Sequence, residues 1–398
     1  MGELSNYASY RIPMNESLSL ARGFMEEFVE STGLLRDARH CRRYLWTDAF
    51  AVFNFISLFR HTEEKKYLER AIQLVAQVHN VLGHHRYDDV RKGWISGLSE
   101  AEGRRHPTAG GLRIGKRLME RHVTEPFDEL LEWNRDGQYF HYLTKWAHAL
   151  VIIAQETDDA RYLIQAHDLM KKVLSCFLYV PTTSRRSRIY WKMSIDLTRP
   201  LVSSMGHLDP LDGLVMLYEL NRAYSPRDDS FRDELITLSE ICSNSHWRAM
   251  DMLSIGSLMI EAYRMGQLIA RGEDLDISLL YDVIHGAYEG LSDLDGVDWD
   301  IAPELRLAFR ELGLVIGLKA IGRFSEVVLR EKGLRDILVK PLVAFERFLP
   351  LIGVIEHFWS APENRINNTW VEHADINGVM MATALVPDAF LELDYHES

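Results

Sequence analysis

The sequence predicts an all-α protein of six inner and six outer helices, an (α/α)6 toroid. Three observations predict it. Helical periodicity runs through most of the 398 residues, while strand-like alternation is scarce. Segments apolar on nearly all sides alternate with amphipathic ones; the first kind must be buried, and the second can cover it. Connections alternate as well, short after an inner segment and long before the next.

Taken in order, 16–31 is amphipathic, with Leu18, Leu20, Ala21, Phe24, Met25 and Phe28 on one side. Segment 45–60 is the first apolar helix. Segment 63–82 sets Leu68, Ile72, Val75 and Val78 against Glu63, Lys65, Lys66, Glu69 and Arg70. The alternation continues with inner helices at 140–155, 209–224, 251–270, 304–321 and 372–386, and outer ones at 159–177, 230–242, 275–291 and 333–349. Repeated hairpins that bury each other's faces form solenoids or closed rings. Six pairs, with the N-terminal helix as the last outer partner, predict closure and a single domain over 1–398. Short links are expected at His61-Thr62, Thr157-Asp158 and 225–229, and long ones at 83–138, 178–206, 292–303 and 350–369. Long connections in compact domains are usually functional or disordered. The link at about 83–138 is a basic insertion (Arg86, Arg91, Lys92, Arg104, Arg105, Arg113, Lys116, Arg117, Arg121), and 178–206 carries Arg185, Arg186, Arg188, Lys192 and Arg199 with room for a β-ribbon at 187–195. These bases either face a ligand or pair with acids on neighbouring links.

Composition bounds the function classes. Hydrophobic residues make up 47% and charged residues 26%, sufficient for a large core. A net charge of −13 argues against nucleic-acid binding. No apolar run reaches membrane-spanning length, no secretory pattern opens the chain, and Asn6 fails the myristoylation pattern. Three distant cysteines fit a reducing, cytoplasmic setting.

Polar motifs open the apolar helices, and they are the candidate site: Trp46-Thr47-Asp48, Tyr139-Phe140-His141, His207-Leu208-Asp209 and Glu372-His373-Ala374-Asp375. Asp48 sits in an apolar frame, either as a general acid or as the partner of Arg43 in a buried ion pair. Asp209-Pro210 reads as a helix start, with Asp209 either a cap or a ligand contact. Asp212 lies one turn further on. Thr369 to Glu372 fits a capping box, leaving His373 and Asp375 without a structural role. His141 and Lys145 share a helical face among aromatics. The candidate catalytic residues are therefore Asp48, His141, His207, Asp209, His373 and Asp375. Trp46, Tyr139, Trp191 and Trp370 are candidate stacking residues, Lys145 a polar contact, and Arg113, Lys116 and Arg188 anion contacts. Residues 110–117 nearly match a phosphate loop, but Arg117 replaces the magnesium-binding hydroxyl and no strand precedes it; a lid over a ligand is the remaining reading. No cofactor is expected, and the His-X-Asp spacings at His207/Asp209 and His373/Asp375 are too weak a signal to assign a metal.

Six inner/outer pairs whose inner helices open on motifs such as Trp46-Thr47-Asp48 and His207-Leu208-Asp209 make the chain similar to the six-hairpin glycosidase-like superfamily. The resemblance covers nearly the whole chain and is architectural. It implies a carbohydrate-active enzyme with a small-molecule or oligosaccharide ligand, which the basic links would make anionic. Glycoside hydrolysis by two carboxyls is the first expectation, which needs them about 5–9.5 Å apart. A sugar epimerase or isomerase using His207 and His373 is the alternative, and a non-catalytic docking toroid the third.

Overall fold

The computed structural model describes residues 12–36, 41–224 and 230–393 of the chain. Among them are twelve helices of twelve residues or more. They are α1 (Met14–Thr32), α2 (Leu45–Thr62), α3 (Lys65–Leu82), α4 (Phe140–Thr157), α5 (Ala160–Phe177), α6 (Asp209–Tyr224), α7 (Arg232–Ser243), α8 (Met252–Ala270), α9 (Ile277–Ser292), α10 (Ala308–Arg330), α11 (Lys332–Val343) and α12 (Ala374–Leu385). Each expected helix has its counterpart. The helices read as inner are the buried ones: in α4, for instance, every residue from Trp146 to Ala154 is buried. The helices read as outer bury one face, as α3 does with Tyr67, Ala71, Leu74, Val75, Val78 and Leu82. The expected link at 225–229 and the chain's first residues lie outside the described residues.

Four local expectations are corrected. The helix expected from 304 starts at Ala308, because Pro303–Leu305 forms a 3-10 turn instead, and it runs on to Arg330. The helix expected to 349 stops at Val343, soon after Pro341, whose ring removes a backbone donor. The capping box at Thr369 does not form. Asn367 caps the short helix Asn368–Val371 by accepting from the Trp370 amide, and α12 starts later, after His373. The ribbon expected within 187–195 is not a hairpin. Its two halves, β3 (Arg188–Ile189) and β4 (Lys192–Met193), pair with other strands: β3 with β2 (Leu178–Tyr179), and β4 with β1 (Gln138–Tyr139) and β5 (Pro200–Val202).

The described residues group into two compact units, one drawn from those within 32–56 and 64–244, the other from 12–31, 57–63 and 245–393. In the second, α8 and α10 cross at backbone contact. A Cβ on Gly256 would run into the Gly313 carbonyl, and one on Gly317 would meet Gly256 itself. Gly256→Ala is therefore expected to destabilise the protein by about 2–3 kcal/mol, because backbone cannot turn aside as a side chain can. A Cβ on Gly322, on the same helix α10, would meet nothing within 4 Å. Gly322→Ala should be neutral or stabilising through helix propensity. Urea unfolding of both variants checks the contrast.

Candidate functional site

The first unit holds a polar cluster where α2, α4 and α6 begin, and the links before those helices build its walls. Their basic residues are largely taken up internally. Asp136, fully buried, accepts from Arg113 Nη1 at 2.6 Å and Arg86 Nη1 at 3.2 Å, and from the amides of Gly115 and Gly137. Arg91 binds Asp89, Glu120 and Asp196. Arg121 and Lys192 share Glu132. A buried carboxylate needs such partners, and here it gathers a basic loop onto the body of the unit. Gln138 fastens the same loop by accepting from the Leu112 amide and donating to the carbonyls of Gly110 and Ile195. Gly111, at φ +76°, leaves room for that side chain, so the glycines serve close packing and not a lid.

This placement corrects several expected roles. Each Arg113 nitrogen is engaged internally, with Asp136, the His84 carbonyl and the Val81 carbonyl, and the residue is buried, so it does not face a ligand. Asp48 is fully buried, 3.3 Å from Arg43 Nη1, and accepts from the Tyr44 amide at 3.0 Å. It fastens the entrance of α2 instead of facing a ligand. Tyr139 is only 3% exposed and lies behind Trp191 and His141, so it supports the wall and offers no free face. Arg188 is exposed on β3. Trp370, in the other unit, is 7% exposed and stacks on Trp359 with centroids 5.5 Å apart, a core position. His373 and Asp375 belong to that unit too; the His373 ring lies 5.6 Å from Phe309, and Asp375 is exposed.

Some of the expected residues lie together around His141. Pairing of β4 with β1 sets Trp191 5.5 Å from Tyr139 and 6.4 Å from the near-parallel His141 ring. Tyr142 connects this wall to Trp46 at 6.4 Å and to Tyr44, with the two phenol oxygens 2.6 Å apart. Burial raises both phenols, Tyr44 to about 12 and Tyr142 well above its ordinary value, so both stay protonated hydrogen-bonding groups. The Lys116 ammonium lies 5.3 Å over the Tyr44 ring, and among the described residues it has no carboxylate partner. Burial, then the charge of Lys192, lowers its pKa.

Asp209 completes the cluster, and not as a cap. The Asp212 amide donates to the Leu208 carbonyl, which places the cap position at Leu208 and Asp209 in the first turn. Asp209 Oδ1 is 3.5 Å from His141 Nδ1; that nitrogen and Asp209 Oδ2 are both buried, with no hydrogen-bond partner among the described residues. The pair sits at the α6 N-terminus, where the helix dipole favours a carboxylate. His207, just outside, is exposed.

Sequence reasoning missed what lies beneath. Lys145 Nζ donates to Asp212 Oδ1 at 2.9 Å, and two turns below His141 the fully buried His148 Nδ1 meets Glu219 Oε1 at 2.5 Å. With His141 and Asp209 these make three basic–acidic pairs descending the α4–α6 interface. The signal was in the spacing. His141, Lys145 and His148 follow one helical stripe, and so do Asp209, Asp212 and Glu219. Among the described residues, no group of three His, Cys, Asp or Glu is placed to hold a metal ion.

No family model matches the chain, and no curated protein does. Solved structures do. The GH76A alpha-1,6-mannanase from Salegentibacter sp. aligns at 12% identity over 94% of this chain and 100% of its own, with a TM-score of 0.52. A GH76 alpha-mannanase from Bacteroides thetaiotaomicron aligns at 10% identity over 86% of each chain (TM-score 0.49), and the cellobiose 2-epimerase from Spirochaeta thermophila at 13% over 87% of each (0.46). Among the described residues, no helix is long and apolar enough to cross a membrane. The chain shares the all-α (α/α)6 toroid fold of the Salegentibacter mannanase.

Proposed function

We propose that this chain is a carbohydrate-active enzyme that moves a proton on its saccharide through His141, with Asp209 orienting the imidazole. The observation that carries the reading is the His141–Asp209 pair, 3.5 Å apart beside Trp191 and at a helix N-terminus. A carboxylate behind one ring nitrogen fixes the tautomer and leaves the other nitrogen as acid or base. Unbound pairs of this kind are often loose and tighten on substrate. The indole of Trp191 and the half-buried Trp46 suit the apolar face of a sugar ring. The reaction class this favours is epimerisation or isomerisation, in which a base removes the hydrogen next to a carbonyl and a proton returns on either face.

Glycoside hydrolysis is the second reading, favoured by the carboxylates Asp209 and Asp212 one turn apart. It is weaker on two counts. Asp212 is held by Lys145, and Asp48 by Arg43. In the Salegentibacter mannanase, replacing two neighbouring aspartates gives an inactive variant that is seen with mannotriose. Of the adjacent aspartates described here, Asp88 and Asp89 are tied to Arg86 and Arg91, and Asp159 to Arg161. An anionic substituent on the sugar is part of the proposal, through the Lys116 ammonium. Arg113 of the same link does not support it.

The test is incubation with mannotriose, cellobiose and a uronate-containing disaccharide in D2O, followed by NMR, with melting temperature recorded for each sugar. The expected result is a rise in melting temperature with at least one sugar, and deuterium at the carbon next to the reducing carbon without new reducing ends. New reducing ends without deuterium would replace the first reading by the second. No thermal shift and no product with any sugar would remove both.

A further inference from the structure

On the outside of the first unit a groove of about 780 Å³ runs between α3 and α5, roofed by the loop carrying Trp94 and Pro107. This volume is typical of small-molecule sites. Its walls are apolar. Ile72 on α3 is 37% exposed and Ile164 on α5 is 38% exposed, and Val75 and Tyr162 lie alongside. Its charges are of one sign: Arg104, Arg105 and Arg161 line it, and no acid does, in a protein of net charge −13. Arg104 and Arg161 each share a carboxylate, Glu100 and Asp159, while Arg105 has only the Ala101 carbonyl.

Two polar groups in the wall lack partners. His79 is 6% exposed and lines the groove. Its Nε2 lies 3.1 Å from the Trp146 indole N–H, which can only donate, so the ring carries its proton on Nδ1. That Nδ1–H has no acceptor among the described residues. Burial lowers the His79 pKa to about 3, which keeps the ring a neutral donor. Gln165 Oε1, also in the wall, is buried without a partner.

We propose that this groove binds a small amphipathic organic anion, its apolar body between α3 and α5 and its anionic group at Arg105 and Arg161. A hydroxyl or carbonyl acceptor on the body would take the His79 N–H. The proposal is independent of the saccharide site, since it shares no residue with it.

Titration of the full chain with 8-anilinonaphthalene-1-sulfonate, followed by fluorescence, tests it. The expected result is one saturable site from which dodecanoate displaces the dye and dodecyltrimethylammonium does not. Ala76, exposed in the groove, can be filled without touching the core. Ala76→Trp should weaken dye binding by about tenfold or more, and the double variant R105E/R161E by about tenfold. Both variants should keep the parent melting temperature. A dye signal that does not saturate, or an affinity unchanged in Ala76→Trp, would overturn the site. Equal displacement by the ammonium amphiphile, or unchanged affinity in R105E/R161E, would overturn the anionic ligand.

Discussion

Turnover of the saccharide that the chain accepts is expected to fall by about a hundred- to ten-thousandfold in His141→Asn, with KM and melting temperature nearly unchanged. The side chain is 28% exposed, and its Nδ1 has no hydrogen-bond partner among the described residues, so truncation removes no structural bond. What disappears is the group that carries the proton. Asp209→Asn should cut the rate less steeply. The amide keeps the shape but no longer supports the positive charge that forms on the ring during proton transfer. A structural role for either residue would show instead as a lower melting temperature. Asp48→Asn gives the opposite pattern: it loosens the contact with Arg43, so stability should drop before kcat does.

His148→Ala is the variant expected to cost the most stability, about 3–5 kcal/mol in denaturant unfolding. It takes the imidazole away from Glu219, whose carboxylate is fully buried between α4 and α6. Removing one member of a buried pair leaves the other desolvated, whereas replacing both can be neutral. The double variant His148→Phe/Glu219→Leu should therefore recover most of the loss. If it stays as unstable as His148→Ala, the pair is not the origin of the effect. If it recovers stability but not turnover, the pair also positions His141, two turns above on the same helix.

Much of the fold was legible because burial leaves a periodic mark on sequence. Segments such as 140–155 and 251–270 have few polar positions, so no exposed placement suits them, and their helices formed where expected. Boundaries were less legible where a local rule competed with a tertiary partner. Thr369 has the spacing of a capping box, yet its hydroxyl donates to the Pro303 carbonyl, a partner distant in sequence. Asp209 has the sequence of a cap, yet Leu208 holds that position and Asp209 faces His141.

By itself, then, the sequence determined the twelve long helices and the alternation of buried and covering ones. These depend on periodicity and chain order, which are local. Only the tertiary structure decided which charged groups remain available. Arg113 and Arg188 look alike in sequence, but one is enclosed by Asp136 and two carbonyls while the other stands exposed. Asp48 and Asp209 both open apolar helices, and a neighbouring guanidinium holds only the first. The value of a charge is set by what surrounds it in space, and a single sequence does not record that.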